Sequence, residues 1–367
     1  MNEICVISDC HLGYRHRLKH QRLIDYENAF KDAIEKAMRF NPILVIFLGD
    51  LFHYPKPDAR TLHLAIKTIR KIAEKCKVIL CIGNHEIEGS LDTTYLNFFS
   101  EIHSNIYVLN STTPHINFFI NEKKFSIHGF EYTRNKENAE KILEKISSEI
   151  SSKGKDIVNI LCLHQALQNY LEPHEISLQI IKIFAKKFDL ILLGHLHKHK
   201  KIEEIFDVPA FYVGSTERIS FNESENKNGF LVFHDLNFSS PEFIEVRSAK
   251  MRVIKEHYDE EKTPEEINER IKKLIEENSD VKCLQIDIDV KIKGDIFEIK
   301  RDWQTIYKNF TILDVNIIPK TDKAKEVTIE RIELSAELIE EYFEKSGLKD
   351  EGELKKVCLE LYEKYGK

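Results

Sequence analysis

Short apolar runs alternate with amphipathic segments over the first 235 residues or so of the chain. Each apolar run has the length of a buried strand, and the runs are Ile4–Ile7, Leu44–Leu48, Val78–Ile82, Ile157–Leu163, Leu190–Leu193 and Phe211–Val213. Between the first two runs, apolar residues recur every three or four positions, as on a helix that packs against a sheet: Leu23, Tyr26, Phe30, Ile34 and Met38. The alternation predicts an α/β fold of βα units around a buried sheet.

The pattern changes at about residue 241. Strand-like pieces surround one charged helix over roughly 263–278, and Leu284–Val290 alternates apolar and polar residues as a half-buried strand does. These features predict a small α+β domain. The predicted organisation is therefore a main domain over residues 1–240, a small domain over 241–315, a linker over 316–332 and a helical pair over 333–367.

The linker and the helical pair are read from composition and periodicity. Residues 319–326 are polar, Gly347 can end the first amphipathic helix, and Asp350 can cap the second. Both helices carry an apolar stripe. The pair could pack on its own protein, or it could bind a partner through a flexible linker.

Composition narrows the class of protein. Hydrophobic residues make up 42% and charged residues 31%, and no apolar run approaches the roughly 20 residues that a membrane helix needs. The first residues, MNEICVISD, enter a strand directly without the pattern of a secretory signal, so we expect a cytoplasmic protein. The seven cysteines form no CxxC pair, which favours buried free thiols in a reducing compartment.

The net charge of −7 argues against a protein that coats nucleic acid through its overall charge. Any contact with DNA must then be local. Two clusters of basic residues could provide one: Arg15, His16, Arg17, Lys19, His20 and Arg22, and then Lys198, His199, Lys200 and Lys201. Such clusters could equally be solvated surface, but both adjoin the polar motifs described next.

Five strand-like runs each end in a short motif of potential metal-binding side chains: Asp9-x-His11, Gly49-Asp50, Gly83-Asn84-His85-Glu86, His164-Gln165 and Gly194-His195-x-His197. Ligands of open α/β sheets bind beyond the carboxyl ends of strands, so the five motifs should converge. A single motif of this kind is often only a hydrogen-bonding residue at a strand end. Together they offer seven N and O donors without a thiolate, which suits two cations sharing one carboxylate.

The ordered set resembles the calcineurin-like metallophosphoesterase superfamily, whose pattern DxH, GD, GNH[DE], H and GHxH is matched over residues 1 to about 235. The resemblance implies a four-layer β-sandwich flanked by helices. It also implies two overlapping ligand sets: Asp9, His11, Asp50 and His197 for one ion, and Asp50, Asn84, His164 and His195 for the other, with Asp50 as the bridge. His85 would face the scissile phosphate and stabilise its charge or protonate the leaving oxygen.

Three segments are similar to one family within that superfamily, the DNA double-strand-break repair nucleases called meiotic recombination eleven (SbcD-like). They are SDCHLGY at 8–14, GDLFH at 49–53 and LHQ at 163–165. The resemblance implies a nuclease with two manganese ions per subunit that acts as a 3′-to-5′ exonuclease on duplex ends and an endonuclease on single strands. Residues 241–315 would be its capping domain.

The same resemblance implies further roles. His53 would orient the phosphate, although it could instead support a ligand or lie on the surface. Tyr14, Arg15 and Arg17 would lie where a DNA backbone approaches. The helix-turn-helix-like tail at 333–367 would bind an ABC-type, SMC-like ATPase, and helices near Leu62 and Phe99 would form a homodimer.

Other readings stay open. Glu86 stands where the family often has Asp, and it is one methylene longer, so its reach would differ from that of an aspartate if it orients His85. The chain could be another member of the superfamily, such as a cyclic-nucleotide phosphodiesterase or a phosphoprotein phosphatase. It could also be a scaffold or DNA-bridging module whose metal site is vestigial, although the complete ligand set opposes that reading.

Overall fold

The computed structural model describes residues 2–89, 94–120, 122–150, 154, 156–171, 176–320, 355–359 and 362. The chain divides into two compact units, Met1–Pro319 and Lys320–Lys367. Of the second unit, only Lys320, residues 355–359, which are helical, and Tyr362 are described. Apart from these residues of the second predicted helix, the predicted helical pair lies outside the described residues, as does the predicted linker beyond residue 320.

The first large sheet has six strands in the order β12-β11-β1-β2-β3-β4. Strands β1 to β4 are parallel, whereas β11 and β12 run antiparallel to their neighbours. The strands are β1 (Ile4–Ile7), β2 (Leu44–Leu48), β3 (Lys77–Cys81), β4 (Ile106–Leu109), β11 (Gly229–Phe233) and β12 (Glu242–Glu245). The central strands are continuous apolar runs because both of their faces are covered.

The second large sheet has six strands in the order β5-β6-β7-β8-β10-β9. Its central strands β6, β7, β8 and β10 are parallel, and both edge strands pair antiparallel. The strands are β5 (His115–Ile120), β6 (Lys123–Phe130), β7 (Ile157–His164), β8 (Leu190–Gly194), β9 (Lys200–Lys201) and β10 (Ala210–Tyr212).

Three apolar cores hold helices and sheets together in successive layers. Side chains of both large sheets form the middle core, so the sheets pack face to face. The outer face of the first sheet packs on two helices, and the outer face of the second sheet packs on two more. The helices are α1 (His20–Arg39), α2 (Ala59–Ala73), α3 (Lys136–Glu149) and α4 (Leu178–Ala185). The sequence pattern predicted βα units around one sheet; the structure has two, because buried strands of either sheet share the same apolar pattern.

A third, smaller sheet follows in the chain. It contains three parallel strands with α5 (Pro264–Glu277) packed on them and a short α6 (Trp303–Ile306). The strands are β13 (Met251–Lys262), β14 (Cys283–Ile292) and β15 (Ile312–Pro319). The predicted charged helix is thus confirmed, and Thr263 caps its first turn by accepting from the Glu266 N–H.

Residues 316–319, predicted as the start of the linker, belong to strand β15. Strand β15 continues through Pro319 because residues 316–319 pair with β14 in unbroken register, Ile317 opposite Ile288. Short 3₁₀ segments complete the described elements: His16–Leu18, Asn84–Glu86, Tyr95–Glu101, Phe221–Glu223 and Ile296–Glu298.

The seven cysteines are free, as predicted, and all are buried except the half-buried Cys358. Among the described helices, none has both the length and the apolar character that spanning a membrane would require.

Candidate two-metal site

The carboxyl ends of five strands bring the predicted donors together. Asp9 and His11 follow β1, Asp50 follows β2, and Asn84 and His85 follow β3, all in the first sheet. His164 ends β7, and His195 and His197 follow β8, in the second sheet. Because the two sheets pack face to face, their strand ends meet at one place.

Four of the seven predicted donors have a left-handed backbone. The φ angles are 51° at Asp9, 46° at His11, 49° at Asp50 and 81° at His195. Non-glycine residues rarely adopt this conformation, and each such residue costs on the order of 1–3 kcal/mol when strained. The strand ends therefore turn sharply at the donors, which directs both members of Asp9-x-His11 toward the same centre.

Two glycines permit the close approach of the loops. A Cβ atom at Gly83 would lie 2.2 Å from Asp50 Oδ1, and one at Gly49 would lie 2.4 Å from His164 Nδ1. Both distances are far below van der Waals contact, so any side chain would displace a donor.

One group of donors consists of Asp9, His11 and His197. His11 Nε2 and His197 Nε2 are 3.1 Å apart, and His197 Nε2 is 3.6 Å from Asp9 Oδ1. The Ser8 hydroxyl donates to Asp9 Oδ2 at 2.5 Å, which holds the carboxylate in place.

The second group consists of Asp50, His164 and His195, with Asn84 beside it. His164 Nε2 lies 3.3 Å from Asp50 Oδ2 and 3.2 Å from Asn84 Oδ1. His164 Nδ1 donates to the Leu48 carbonyl oxygen at 2.6 Å, which leaves Nε2 as the atom that faces the group.

Asp50 lies between the two groups. Its Oδ2 is 3.3 Å from His164 Nε2 in one group and 3.8 Å from His11 Nε2 in the other. Its Oδ1 accepts the His85 backbone N–H at 2.9 Å. This is the placement that a bridging carboxylate requires.

The spacing of the donors fits bound cations. Ligand atoms about 2.0–2.2 Å from one ion lie about 3.0–3.5 Å from their nearest neighbours on that ion. The His11–His197, His164–Asp50 and His164–Asn84 separations of 3.1, 3.3 and 3.2 Å all fall in this range. Imidazole nitrogen and carboxylate oxygen suit manganese, iron, cobalt and zinc alike, so the donors fit the metals without selecting one.

The electrostatics of the groups also call for positive charge. Burial alone would lower the pKa of His164, but the Asp50 and Asp9 carboxylates outweigh it and raise the pKa to about 10. The pKa of His197 is raised to about 9 because its hydrogen bond to Glu223 and the charge of Asp9 outweigh burial. Burial and the histidines around it lower the pKa of His195 to about 3. Two buried carboxylates thus attract cations into the site.

His85 and His53 stand next to the donor groups. His85 Nδ1 donates to the His53 carbonyl oxygen at 2.8 Å, so Nε2 is the ring atom left to act on a substrate. His53 Nδ1 is 3.2 Å from His11 Nδ1, and its ring stacks on His85 at 4.5 Å and on Tyr14 at 3.8 Å. His53 therefore supports His11 directly while lining the same face as His85.

Glu86 supports the loop that carries Asp50. Its two oxygens accept the backbone N–H groups of Asp50, Phe52 and Gly83 at 2.7–3.0 Å. These contacts fix the turn that carries Asp50. The sequence had raised Glu86 only as an orienting group for His85.

Glu223 was missed altogether by the sequence reasoning. Its Oε1 accepts from His197 Nδ1 at 2.8 Å, and its Oε2 accepts the Ile219 N–H at 2.9 Å. The sequence holds 61 acidic residues, and nothing in the spacing around residue 223 sets this one apart.

Only some side chains of the first basic cluster lie on the surface. Arg15 and Arg17 are exposed beside the site, where Arg15 pairs with Asp58 and Arg17 pairs with Asp314 of β15. His16 and Arg22, by contrast, are buried. Arg22 donates to Asp25 and to the Arg218 carbonyl oxygen and lies 3.5 Å from Glu217, so its charge is compensated internally.

The second basic cluster is also divided. Lys198 and Lys200 are exposed, and Lys200 lies over the ring of Tyr170. His199 is half-buried, donates to the Tyr212 carbonyl oxygen and stacks on Phe243.

The predicted dimer helices differ in what they expose. Leu62 of α2 packs partly on the first outer core, and Phe99 is fully buried in it. The exposed aromatic residue of that segment is Phe98, with 58% of its surface accessible.

Comparisons with known proteins agree with the geometry. The family model for calcineurin-like phosphoesterases matches residues 3–199. The DNA double-strand break repair protein Mre11 of Methanocaldococcus jannaschii is 31% identical over 253 residues, covering 65% of each chain. The protein of the same name from Methanococcus maripaludis is 29% identical over 278 residues, covering 71% of this chain and 72% of the relative.

Among solved structures, a dimetal phosphatase from Danio rerio aligns with a TM-score of 0.45 and 12% identity, covering 63% of this chain and 91% of that one. The match of the family model over more than half of the chain, together with the two donor groups, shows that this protein belongs to the calcineurin-like phosphoesterase family.

Proposed function

We propose that this chain is a two-metal DNA nuclease that processes double-strand-break ends as one subunit of a complex with an ABC-type, SMC-like ATPase. The observation that carries the proposal is the pair of donor groups that share Asp50, with His85 alongside. The similarity to archaeal proteins named for double-strand-break repair supports DNA as the substrate.

Bound cations would supply an activated water and neutralise the charge of the phosphate during in-line displacement. The chain's own residues prepare that step. Asp50 and Asp9, both buried, would hold the cations, and neutral Asn84 would add a ligand without adding negative charge. His85, fixed through Nδ1, presents Nε2 to the phosphate, where it stabilises negative charge or protonates the leaving oxygen.

The surface beside the site supports an approach by a DNA backbone. Arg15 and Arg17 lie on the loop after the first motif, and Lys198 follows His197. Tyr14 stacks on His53 at the edge of the site. Such residues position phosphates without reading sequence.

Further parts of the proposal rest on the resemblance. We propose manganese as the metal, 3′-to-5′ exonuclease action on duplex ends and endonuclease action on single strands. We also propose that residues 333–367 bind the ATPase and that the surface around α2 and Phe98 forms a homodimer. Exposure of Phe98 supports the latter.

The test uses His85→Gln with His234→Gln as a matched control. His234 is a half-exposed histidine that pairs with Glu3 and Glu242 in the part of the chain that the structure describes. End-labelled duplex, single-stranded DNA circles and bis(p-nitrophenyl) phosphate are incubated with manganese, magnesium or chelator. We expect manganese-dependent cleavage of both DNAs and a loss of about 10²–10⁴-fold in His85→Gln alone.

Hydrolysis of the small ester with intact DNA would overturn the nuclease proposal and favour another phosphoesterase activity. Equal activity of His85→Gln and the unchanged protein would overturn the role of His85.

A further inference from the structure

His164 and His197, two of the three histidines that the second sheet contributes to the donor groups, are fixed in different ways. His164 Nδ1 donates to a backbone carbonyl within the sandwich, that of Leu48. His197 Nδ1 instead contacts a side chain, the carboxylate of Glu223, at 2.8 Å. Histidine ligands of metals commonly donate their second nitrogen to a carboxylate, which fixes the tautomer and the ring orientation.

Glu223 is itself held by its surroundings. Its second oxygen accepts the Ile219 N–H at 2.9 Å, and the His197 carbonyl oxygen accepts the Ser215 N–H at 3.1 Å. Residues 215–223 therefore contact His197 through both its backbone and its ring.

The same segment is anchored to the third sheet. Phe221, two residues before Glu223, packs with Met251 of β13, Cys283 of β14 and Ile312 of β15. These are the first residues of the three strands. The turn that carries Glu223 is therefore packed against the end of that sheet.

Hydrogen bonds also connect residues 217 and 218 of this segment to the chain just before the third sheet. Arg218 donates to the Ser248 hydroxyl at 2.7 Å and to the Ala249 carbonyl oxygen at 3.1 Å, and the Ala249 N–H donates to Glu217 at 2.8 Å. Ser248 and Ala249 lie two to three residues before the start of β13. A displacement of the third sheet would therefore move the turn that holds His197.

We propose that Glu223 is a positioning residue for His197, and that Phe221 ties the metal affinity of the Asp9–His11–His197 group to the position of the third sheet. The inference rests on the two-metal site of the proposed function but not on DNA as the substrate. The Asp50–His164–His195 group has no corresponding contact with that sheet among the described residues.

The first test is calorimetric titration of the full chain with Mn²⁺, which measures each binding step separately. The variants are Glu223→Ala and Glu223→Gln, with Glu225→Gln as the control, because Glu225 is exposed on the same turn. We expect Glu223→Ala to weaken one of the two steps by about 10–100-fold and to leave the other within about twofold. Glu223→Gln, which keeps an acceptor oxygen, should lose less, and Glu225→Gln should match the unchanged protein.

A second readout separates positioning from general damage to the fold. Because the defect lies in metal affinity, Glu223→Ala should regain most of its phosphodiesterase turnover at saturating Mn²⁺. Two unchanged binding steps in Glu223→Ala would overturn the positioning role. Equal weakening of both steps, with turnover that saturating metal does not restore, would also overturn it.

The tie to the third sheet is tested with Phe221→Ala and Phe221→Leu. Phe221→Ala should weaken the same step as Glu223→Ala, whereas Phe221→Leu, which keeps apolar contact, should weaken it less. Unchanged affinity in Phe221→Ala would overturn the tie while leaving Glu223 in its role. If the unchanged protein binds two Mn²⁺ ions but cleaves no DNA, the nuclease proposal fails and the binding data still decide this one.

Discussion

The two halves of the metal centre differ in what holds them. The Asp50–His164–His195 half is supported from within the sandwich, by the Leu48 carbonyl and by glycines that admit no side chain. The Asp9–His11–His197 half depends on residues outside the five motifs, His53 on one side and Glu223 on the other. One half is therefore fixed by the same packing that makes the fold, whereas the other can respond to neighbouring segments.

The segments that flank the Asp9–His11–His197 half contact the third sheet at two separate places. Phe221 packs on the first residues of its strands, and Arg17, on the loop that follows His11, pairs with Asp314 of β15. Variants that remove one donor or one support at a time test whether the two halves differ in this way.

The largest effect is expected from removing a donor of each half in turn. His164→Ala and His197→Ala should each bind one Mn²⁺ ion instead of two and lose measurable phosphodiester hydrolysis, because the reaction needs both cations. Metal content after gel filtration and turnover at saturating metal are the measurements. If either variant lost both ions, the halves would not be separable and the contrast would fail.

The next largest effect is expected on stability, from Arg22, which is fully buried and contacts the segment that carries Glu223. Arg22→Met leaves Glu217 buried without its cation, and we expect a loss of about 3–5 kcal/mol in the free energy of unfolding. Urea denaturation measures it. The control is Arg39→Met, whose ion pair with Glu35 is exposed and should contribute less than about 1 kcal/mol. Similar losses in both variants would mean that the buried ion pair of Arg22 contributes no more to stability than the exposed pair of Arg39.

The smallest effect is expected from Arg17→Gln. The ion pair with Asp314 is largely exposed on the arginine side, with 59% of that side chain accessible, so stability should change by less than about 1 kcal/mol. If Arg17 also contacts a DNA backbone, KM for DNA should rise while both Mn²⁺ affinities and kcat stay the same. A change in kcat with unchanged KM would instead assign Arg17 to the chemistry.

The clustering of the predicted donors could be inferred from the sequence because each lies at the end of its own strand or within a few residues of it. Asp50 follows Leu44–Leu48, and a glycine before it signals the turn. The apolar pattern did not predict the number of sheets, since Val6 of one sheet and Ile160 of the other lie in similar apolar runs and face one core; the four-layer sandwich came only from the family resemblance.

Residues whose partners are distant in sequence were also beyond reach. Arg22 reads as part of a basic surface, but Glu217, 195 positions away, lies beside it in the interior. Glu223 contacts His197 in the folded chain, 26 positions away in the sequence, on a turn that packs against the third sheet through Phe221. Periodicity and spacing carry no information about such pairings.

His11 and His197 face each other across 186 positions of chain, and all the other donors except Asp9 lie between them in the sequence. Long loops must close before either complete donor group can form, so we expect the unfolded chain to offer no equivalent of the site. Metal ions should therefore distinguish folded from unfolded chains. At a free concentration 100 times the dissociation constant, one bound ion would add about 2.7 kcal/mol to the folded state.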